Sequence, residues 1–278
     1  MSASHSLYIA LTQLGFWFAL LMGLVVGSFL NVIIHRRPKF IASENDAAII
    51  STAFPILSCL VKPASTTPCC NLAIAWYDNV PMVSWALLRG KCRHCSMPIS
   101  ARYVLAEFIS SVSFVTVFLM FGQSWTTVFY CLFFALLIAL FWIDLETYML
   151  PDCLTLTLLW LGLLGAALGV LPLVSNEAIL GALIAYVAIW SINFIYYLLR
   201  RRHGFGGGDF KLLAALGAWF GVTWIIPILL IASILAILGV CLLVALKRKA
   251  WSLEKRLPFG PFLVLAGYLF FLIENFVS

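Results

Sequence analysis

Thr126-Thr-Val-Phe-Tyr-Cys-Leu-Phe-Phe-Ala-Leu-Leu-Ile-Ala-Leu-Phe-Trp-Ile-Asp144 runs without a charged residue until its last position, which is an aspartate. An apolar run of this length is close to the roughly 20 residues that a helix needs to cross a bilayer. Ending it on a carboxylate is costly and calls for a reason. Similar runs recur on both sides. They span about Leu11 to Ile34, Tyr103 to Phe121, Leu154 to Leu171, Ala178 to Leu199, Leu212 to Gly221, Thr223 to Leu246 and Phe259 to Phe276. The run from Leu212 is short; it makes a full span only by recruiting Phe210 and Lys211, and otherwise dips in and returns.

Composition agrees. Hydrophobic residues make up 64% of the 278 and charged residues only 10%, against about 25% charged in a soluble domain. The fold class expected is an all-α polytopic membrane protein with about eight transmembrane helices. Residues 1–35 form the first transmembrane helix. Residues 36–102 form a small cytosolic domain containing a cysteine cluster, and residues 103–278 a membrane domain of about seven helices. With no Lys or Arg before Arg36, the first run lacks the positive flank of a signal peptide and reads as a retained helix.

The net charge of +6 could suggest nucleic acid, but the 17 Lys and Arg argue otherwise. They fall into short clusters between apolar runs: Arg36 to Lys62, Arg89 to Arg102, Arg200 to Lys211, and Lys247 to Arg256. With eight spans every one of them lies on one side, and the opposite turns carry none. Positive charge marks the cytoplasmic side, so both termini are expected outside, and no nucleic-acid groove is implied. Dropping the short sixth run would put Lys247 to Arg256 outside, so the charges favour keeping it.

Asp209 follows Gly204-Phe-Gly-Gly-Gly and opens another helix at the same expected face as Asp144. Two carboxylates close together cannot both ionise cheaply, so one holds a proton while the other is a base. The base takes a proton from water, which attacks a scissile carbonyl; the acid polarises that carbonyl and protonates the leaving amine. Asp144 and Asp209 are therefore the candidate catalytic pair. Gly204, Gly206, Gly207 and Gly208 let backbone approach a substrate strand closely. A phosphate loop would need Gly-Lys-Ser/Thr where Asp209 and Phe210 stand. Asp152, just after Pro151, fits a first-turn position that offsets unpaired N–H groups, and Glu146 fits a solvated turn. The rival reading is an ion or proton-coupled transporter in which Asp144 and Asp209 relay cations; against it, both acids lie near one face rather than at mid-membrane.

Cys92-Arg-His-Cys95 is a CxxC knuckle, and Cys69-Cys70 lies upstream. Two knuckles would form a zinc site; here the upstream pair is adjacent rather than spaced, with Cys59 or His94 available as further ligands. Cys69, Cys70, Cys92 and Cys95 are the candidate metal ligands. A metal would staple a domain too small for much of a core. Without one, these are reduced thiols packed together. Cys131, Cys153 and Cys241 read as small apolar residues.

Several runs together resemble one family. Gly23-Leu-Val-Val-Gly-Ser-Phe-Leu-Asn-Val-Ile-Ile-His-Arg-Arg-Pro38 is similar to the first-helix signature of bacterial type IV prepilin leader peptidases. Trp76-Tyr-Asp-Asn-Val-Pro-Met-Val-Ser-Trp85, Leu88-Arg-Gly-Lys-Cys92 and Pro98-Ile-Ser-Ala-Arg-Tyr103 resemble its cytosolic segment. Asp144 through Pro151-Asp152, and Gly204-Phe-Gly-Gly-Gly-Asp209-Phe-Lys211, resemble its two aspartate motifs, the second holding a Gly-x-Gly-Asp core. The resemblance covers most of the chain in order.

It implies a bifunctional enzyme of the bacterial inner membrane. Such an enzyme removes cationic leaders from prepilins or type II secretion pseudopilins, after a glycine and on the cytoplasmic side. It then methylates the new N-terminus with S-adenosylmethionine. It implies catalytic roles for Asp144 and Asp209, with Gly204, Gly206, Gly208 and Lys211 supporting the catalytic loop, and methyl-transfer roles for Gly90 and Glu107. A second reading of Glu107 is a buried carboxylate paired with a base such as Arg102. The family's first CxxC would begin at Thr67, which is not a cysteine, and Cys69 stands nearby as a substitute. The cationic leader is expected to meet Glu146, Asp152 or anionic lipid.

Overall fold

The computed structural model describes residues 2–43, 70, 82–201, 206–247 and 258–277. They are helical almost throughout, with one isolated bridge, Lys91 to Pro98, and no strand among them. The chain divides into two compact units, Met1–Thr127 and Val128–Ser278.

The first unit holds α1 (Ser2–Ser43), a short α2 (Val83–Leu87) and α3 (Arg102–Phe121). α1 and α3 pack along each other because α1 presents glycines where α3 presents small and polar residues. A Cβ on Gly23 would come 2.5 Å from the Ser111 Cα, and one on Gly27 2.6 Å from the Glu107 Cα. In a membrane, where lipid tails are as apolar as Leu, such close backbone approach and polar contacts hold helices together. Ser111 donates to the Leu20 carbonyl at 3.1 Å, and Asn31 Nδ2 to the Tyr103 carbonyl at 3.0 Å. α3, which the sequence groups with the later spans, thus clusters with α1.

The second unit runs from α4 (Trp125–Thr147, which starts just before the boundary) through α5 (Asp152–Ala167), α6 (Ser175–Arg200), α7 (Gly207–Phe220), a 3₁₀ turn (Val222–Trp224) and α8 (Ile225–Lys247) to α9 (Gly260–Val277). Its centre is α7. From Asp209 to Phe220 every residue of α7 except Lys211 is buried, wrapped chiefly by α5 and α6 and also touched by α8 and α9. Two features make that possible. Gly181 of α6 and Gly217 of α7 meet backbone to backbone, so a Cβ on either would strike the other's carbonyl. Trp219 donates its indole N–H to the Leu158 carbonyl at 2.9 Å and stacks into an aromatic cluster, 4.6 Å from Phe133 and 5.6 Å from Tyr130.

Among the described residues, five helical segments are long and apolar enough to cross a membrane: Thr12–His35, Arg102–Phe121, Trp125–Thr147, Ser175–Arg200 and Val222–Leu242. The chain is therefore a multi-pass, all-helical membrane protein. The eight crossings expected from sequence exceed this number. α5, α7 and α9 fall where the remaining runs were placed, but they are shorter. At about 1.5 Å per residue α7 extends roughly 21 Å, against a hydrocarbon core of about 30 Å.

The Gly181–Gly217 crossing fixes how α7 is enclosed. Gly217→Val should lower the unfolding free energy in detergent by about 2 kcal/mol or more through overpacking. Gly207→Ala, whose added Cβ meets nothing within 4 Å, should leave it unchanged or raise it by about 0.5–1 kcal/mol. Denaturant titration of both variants provides the check.

Candidate functional site

Asp144 lies in the last turn of α4, where the apolar run stops. Thr147 turns its hydroxyl back to the Ile143 carbonyl at 2.8 Å. Tyr148 then takes a left-handed φ of 56° and donates its N–H to the Asp144 carbonyl at 2.9 Å. This is a helix stop made without glycine. Met149, Leu150 and Pro151 carry the chain straight into α5. Asp144 is left buried, 4% exposed, and its Oδ2 has no hydrogen-bond partner among the described residues.

Asp209 sits in the first turn of α7, 9% exposed. Its carboxylate turns back and accepts the Gly206 N–H at 3.2 Å, the reach-back half of a capping box. A carboxylate held at a helix N-terminus in this way is held in a fixed orientation.

The surrounding chain is drawn tight. A Cβ on Gly208 would come 2.7 Å from the Leu150 Cβ. A Cβ on Gly260, the first residue of α9, would come 2.6 Å from the Asp144 Oδ2 and 3.1 Å from Leu150 Cδ1. The ends of α4, α5, α7 and α9 therefore converge at one place in the second unit. Asp152, read from sequence as a first-turn carboxylate of α5, does occupy that turn. It also pairs with Lys211 Nζ at 2.5 Å, tying the start of α5 to the start of α7. Its side chain is 59% exposed, so the pair contributes about 0–1 kcal/mol at most. Gly204 lies outside the described residues, while Gly206 and Gly208 flank Asp209 as described.

In the first unit Cys70, Cys92 and Cys95 come together, their Sγ atoms all within 4.8 Å of one another and those of Cys70 and Cys92 4.0 Å apart. Thiolates on a tetrahedral zinc, with Zn–S of about 2.3 Å, stand at about this spacing. Three sulfur donors converging from two segments fit such a metal, and Cys92 is buried. Cys69 and Thr67 lie outside the described residues.

Gly90 has a defined task in this knuckle. It holds φ at 70°, its N–H donates to the Trp85 carbonyl at 2.9 Å, and its carbonyl accepts the Ile99 N–H at 2.7 Å. A Cβ there would come 2.9 Å from the Trp85 ring, which itself donates to the Ile99 carbonyl at 3.2 Å. Glu107, buried in α3, accepts the N–H of Met82 at 2.7 Å, ahead of α2, with Ser28 and Asn31 also turned to its carboxylate. Both residues are thus engaged in holding the first unit together. The partners described for Glu107 are Met82, Ser28 and Asn31; they do not include Arg102.

Sequence reasoning missed Gly260 and Leu150. The available signal was Pro258-Phe-Gly-Pro261, a glycine between two prolines at the mouth of the last apolar run.

The family model for the bacterial peptidase A24 N-terminal domain matches residues 21–121, and that for the type IV leader peptidase family matches residues 131–242. The prepilin leader peptidase/N-methyltransferase of Aeromonas hydrophila is 40% identical over 268 residues, spanning 93% of this chain and 91% of its own. That of Dichelobacter nodosus is 40% identical over 272 residues, covering 94% and 92%. That of Neisseria gonorrhoeae is 37% identical over 267 residues, covering 93% and 91%. No solved structure matches.

The Gly90 geometry yields a direct expectation. Gly90→Val should open the knuckle and raise amide hydrogen exchange at Cys92 and Ile99 by an order of magnitude or more, while exchange across α7 stays as in the unsubstituted protein. Exchange mass spectrometry with site-resolved fragments reads both regions in one experiment.

Proposed function

The chain belongs to the type IV leader peptidase family, and from that premise we propose that Asp144 and Asp209 are its catalytic carboxylates. The substrates are prepilins or type II secretion pseudopilins, and the cut follows a glycine at the cytoplasmic face of the inner membrane. The observation that carries this reading is the convergence of two buried acids, on separate helices, around Leu150 and Gly260. Buried acids brought together in this way mark a functional site, and their place at helix ends fits acid–base chemistry at the membrane face.

In the reaction, the deprotonated carboxyl of the pair removes a proton from water as the water oxygen attacks the scissile carbonyl carbon. The other carboxyl, carrying a proton, hydrogen-bonds to the carbonyl oxygen. When the tetrahedral intermediate collapses, the C–N bond breaks and the leaving nitrogen takes a proton from the dyad. The pair titrates as a unit, so neither role is tied to one residue. Gly206 holds Asp209 through its N–H, and Gly208 leaves room against Leu150. Lys211, paired to Asp152, ties the two loops.

The substrate chemistry follows from the membrane. A cationic leader stays in the cytoplasm while the apolar helix behind it enters the bilayer, which places the junction at the interface. The basic clusters set both termini of the enzyme on the opposite side. Glu146, Asp152 and anionic lipid are the groups available to receive the leader.

The relatives' names include N-methyltransferase, and we extend that activity to this chain, with S-adenosylmethionine supplying the methyl group. Gly90 and Glu107 serve it by positioning: the first fixes the knuckle against Trp85, the second anchors the start of α2. Zinc fits Cys70, Cys92 and Cys95, with Cys69 the nearest further thiol in sequence. Its role there is structural, cross-linking a segment with little core of its own.

Two tests follow. Asp144→Asn and Asp209→Asn, each alone, should lower prepilin cleavage at least about a thousandfold while leaving methylation of an already cut substrate within a few-fold; cleavage near the normal rate in either would remove that residue from the pair. Metal analysis of the purified protein should find about one zinc per chain, lost in Cys92→Ser, and a metal-free wild type would end the zinc assignment.

A further inference from the structure

The mechanism leaves one close contact unused. Gly260 begins α9 between Phe259 and Pro261, and it stands directly against the Asp144 carboxyl. An added Cβ would meet the Asp144 Oδ2 at 2.6 Å, inside any contact that real Cβ atoms make. Asp144 is 4% exposed, and that same Oδ2 completes no hydrogen bond among the described residues. A buried carboxyl oxygen is therefore pressed against the N-terminal turn of an 18-residue helix. The unpaired N–H groups of such a turn carry partial positive charge and receive carboxylates well. Pro261 suits the turn, since its fixed φ is helical and it lacks the N–H that would be unpaired there.

We propose that Gly260 is a positioning residue of the peptidase site. Its backbone N–H orients the Asp144 carboxyl, and its missing side chain is what lets that carboxyl reach the place where it meets Asp209. α9 is then a third catalytic-site element beside the two that carry the aspartates. The inference rests on the reading that Asp144 is catalytic.

Packing alone makes a rival prediction, and Leu150 separates the two. A Cβ at Gly208 and a Cβ at Gly260 would both crowd Leu150, at 2.7 Å and 3.1 Å, but only the one at Gly260 also meets Asp144. Leu150→Gly removes the shared obstacle. Leu150→Gly alone, and Gly260→Ala with Leu150→Gly, then share the same loss of packing and differ in the Asp144 contact.

The experiment measures kcat and KM for Leu150→Gly, for the double variant Gly260→Ala with Leu150→Gly, and for Asp144→Asn. The full-length enzyme is reconstituted in lipid and a prepilin with a cationic leader is the substrate. The expected result is a kcat at least tenfold lower for the double variant than for Leu150→Gly alone, with KM values within about twofold of each other. Equal kcat in the two overturns the inference. Cleavage retained by Asp144→Asn would instead sink the parent reading. An inactive Asp144→Asn beside equal kcat in Leu150→Gly and the double variant would sink this inference alone.

Discussion

A carboxylate taken out of water must find compensating partners, and two placed side by side must find them together. Burial alone disfavours the charged form, and a neighbouring charge of the same sign disfavours it again. Everything around Asp144 and Asp209 answers that constraint. α7 begins at Gly207 so that Asp209 can turn back to the Gly206 N–H. α9 begins at Gly260 against the Asp144 carboxyl. α4 ends at Thr147, where the Tyr148 N–H returns to the Asp144 carbonyl. The rest of the second unit, including the Gly181–Gly217 crossing and the Trp219 cluster, packs around α7 and so fixes where its start lies.

Glycine does much of this positioning, by what it leaves out. At Gly208 and Gly260 the missing Cβ permits contact with Leu150 and with Asp144. At Gly181 and Gly217 it permits backbone contact that buries most of a short helix. In the first unit Gly23 and Gly27 do the same for α1 against α3, and Gly90, at φ 70°, lets Trp85 cover the knuckle. Rigid placement of this kind is what a catalytic pair needs, because small displacements of reacting groups cost large factors in rate.

Much of this was legible in the sequence. Apolar runs gave the helices, since length and hydropathy are local properties. Asp144 and Asp209 stood out because charge is so rare here that each acid at the edge of a run needs a cause. Cys70, Cys92 and Cys95 followed from ligand spacing, even with an irregular upstream pair. What stayed hidden depends on contacts between segments distant in the chain. Gly260 lies far from Asp144 in sequence, and nothing local to Pro258-Phe-Gly-Pro261 shows what it touches. The Asp152–Lys211 pair joins two motifs that were read separately. The crossing count also outran what hydropathy can settle. A run such as Leu212 to Gly221 is equally apolar whether it faces lipid or, as α7 does, other helices.

The central claim is that residues 144 and 209 face one another in the working enzyme. A variant carrying Asp144→Cys and Asp209→Cys, oxidised in native membranes and digested for mass spectrometry, tests it without any substrate. A disulfide joining the peptides that contain these two positions is the predicted result. Two thiols that both react with a small alkylating reagent yet never join under oxidation would contradict the account.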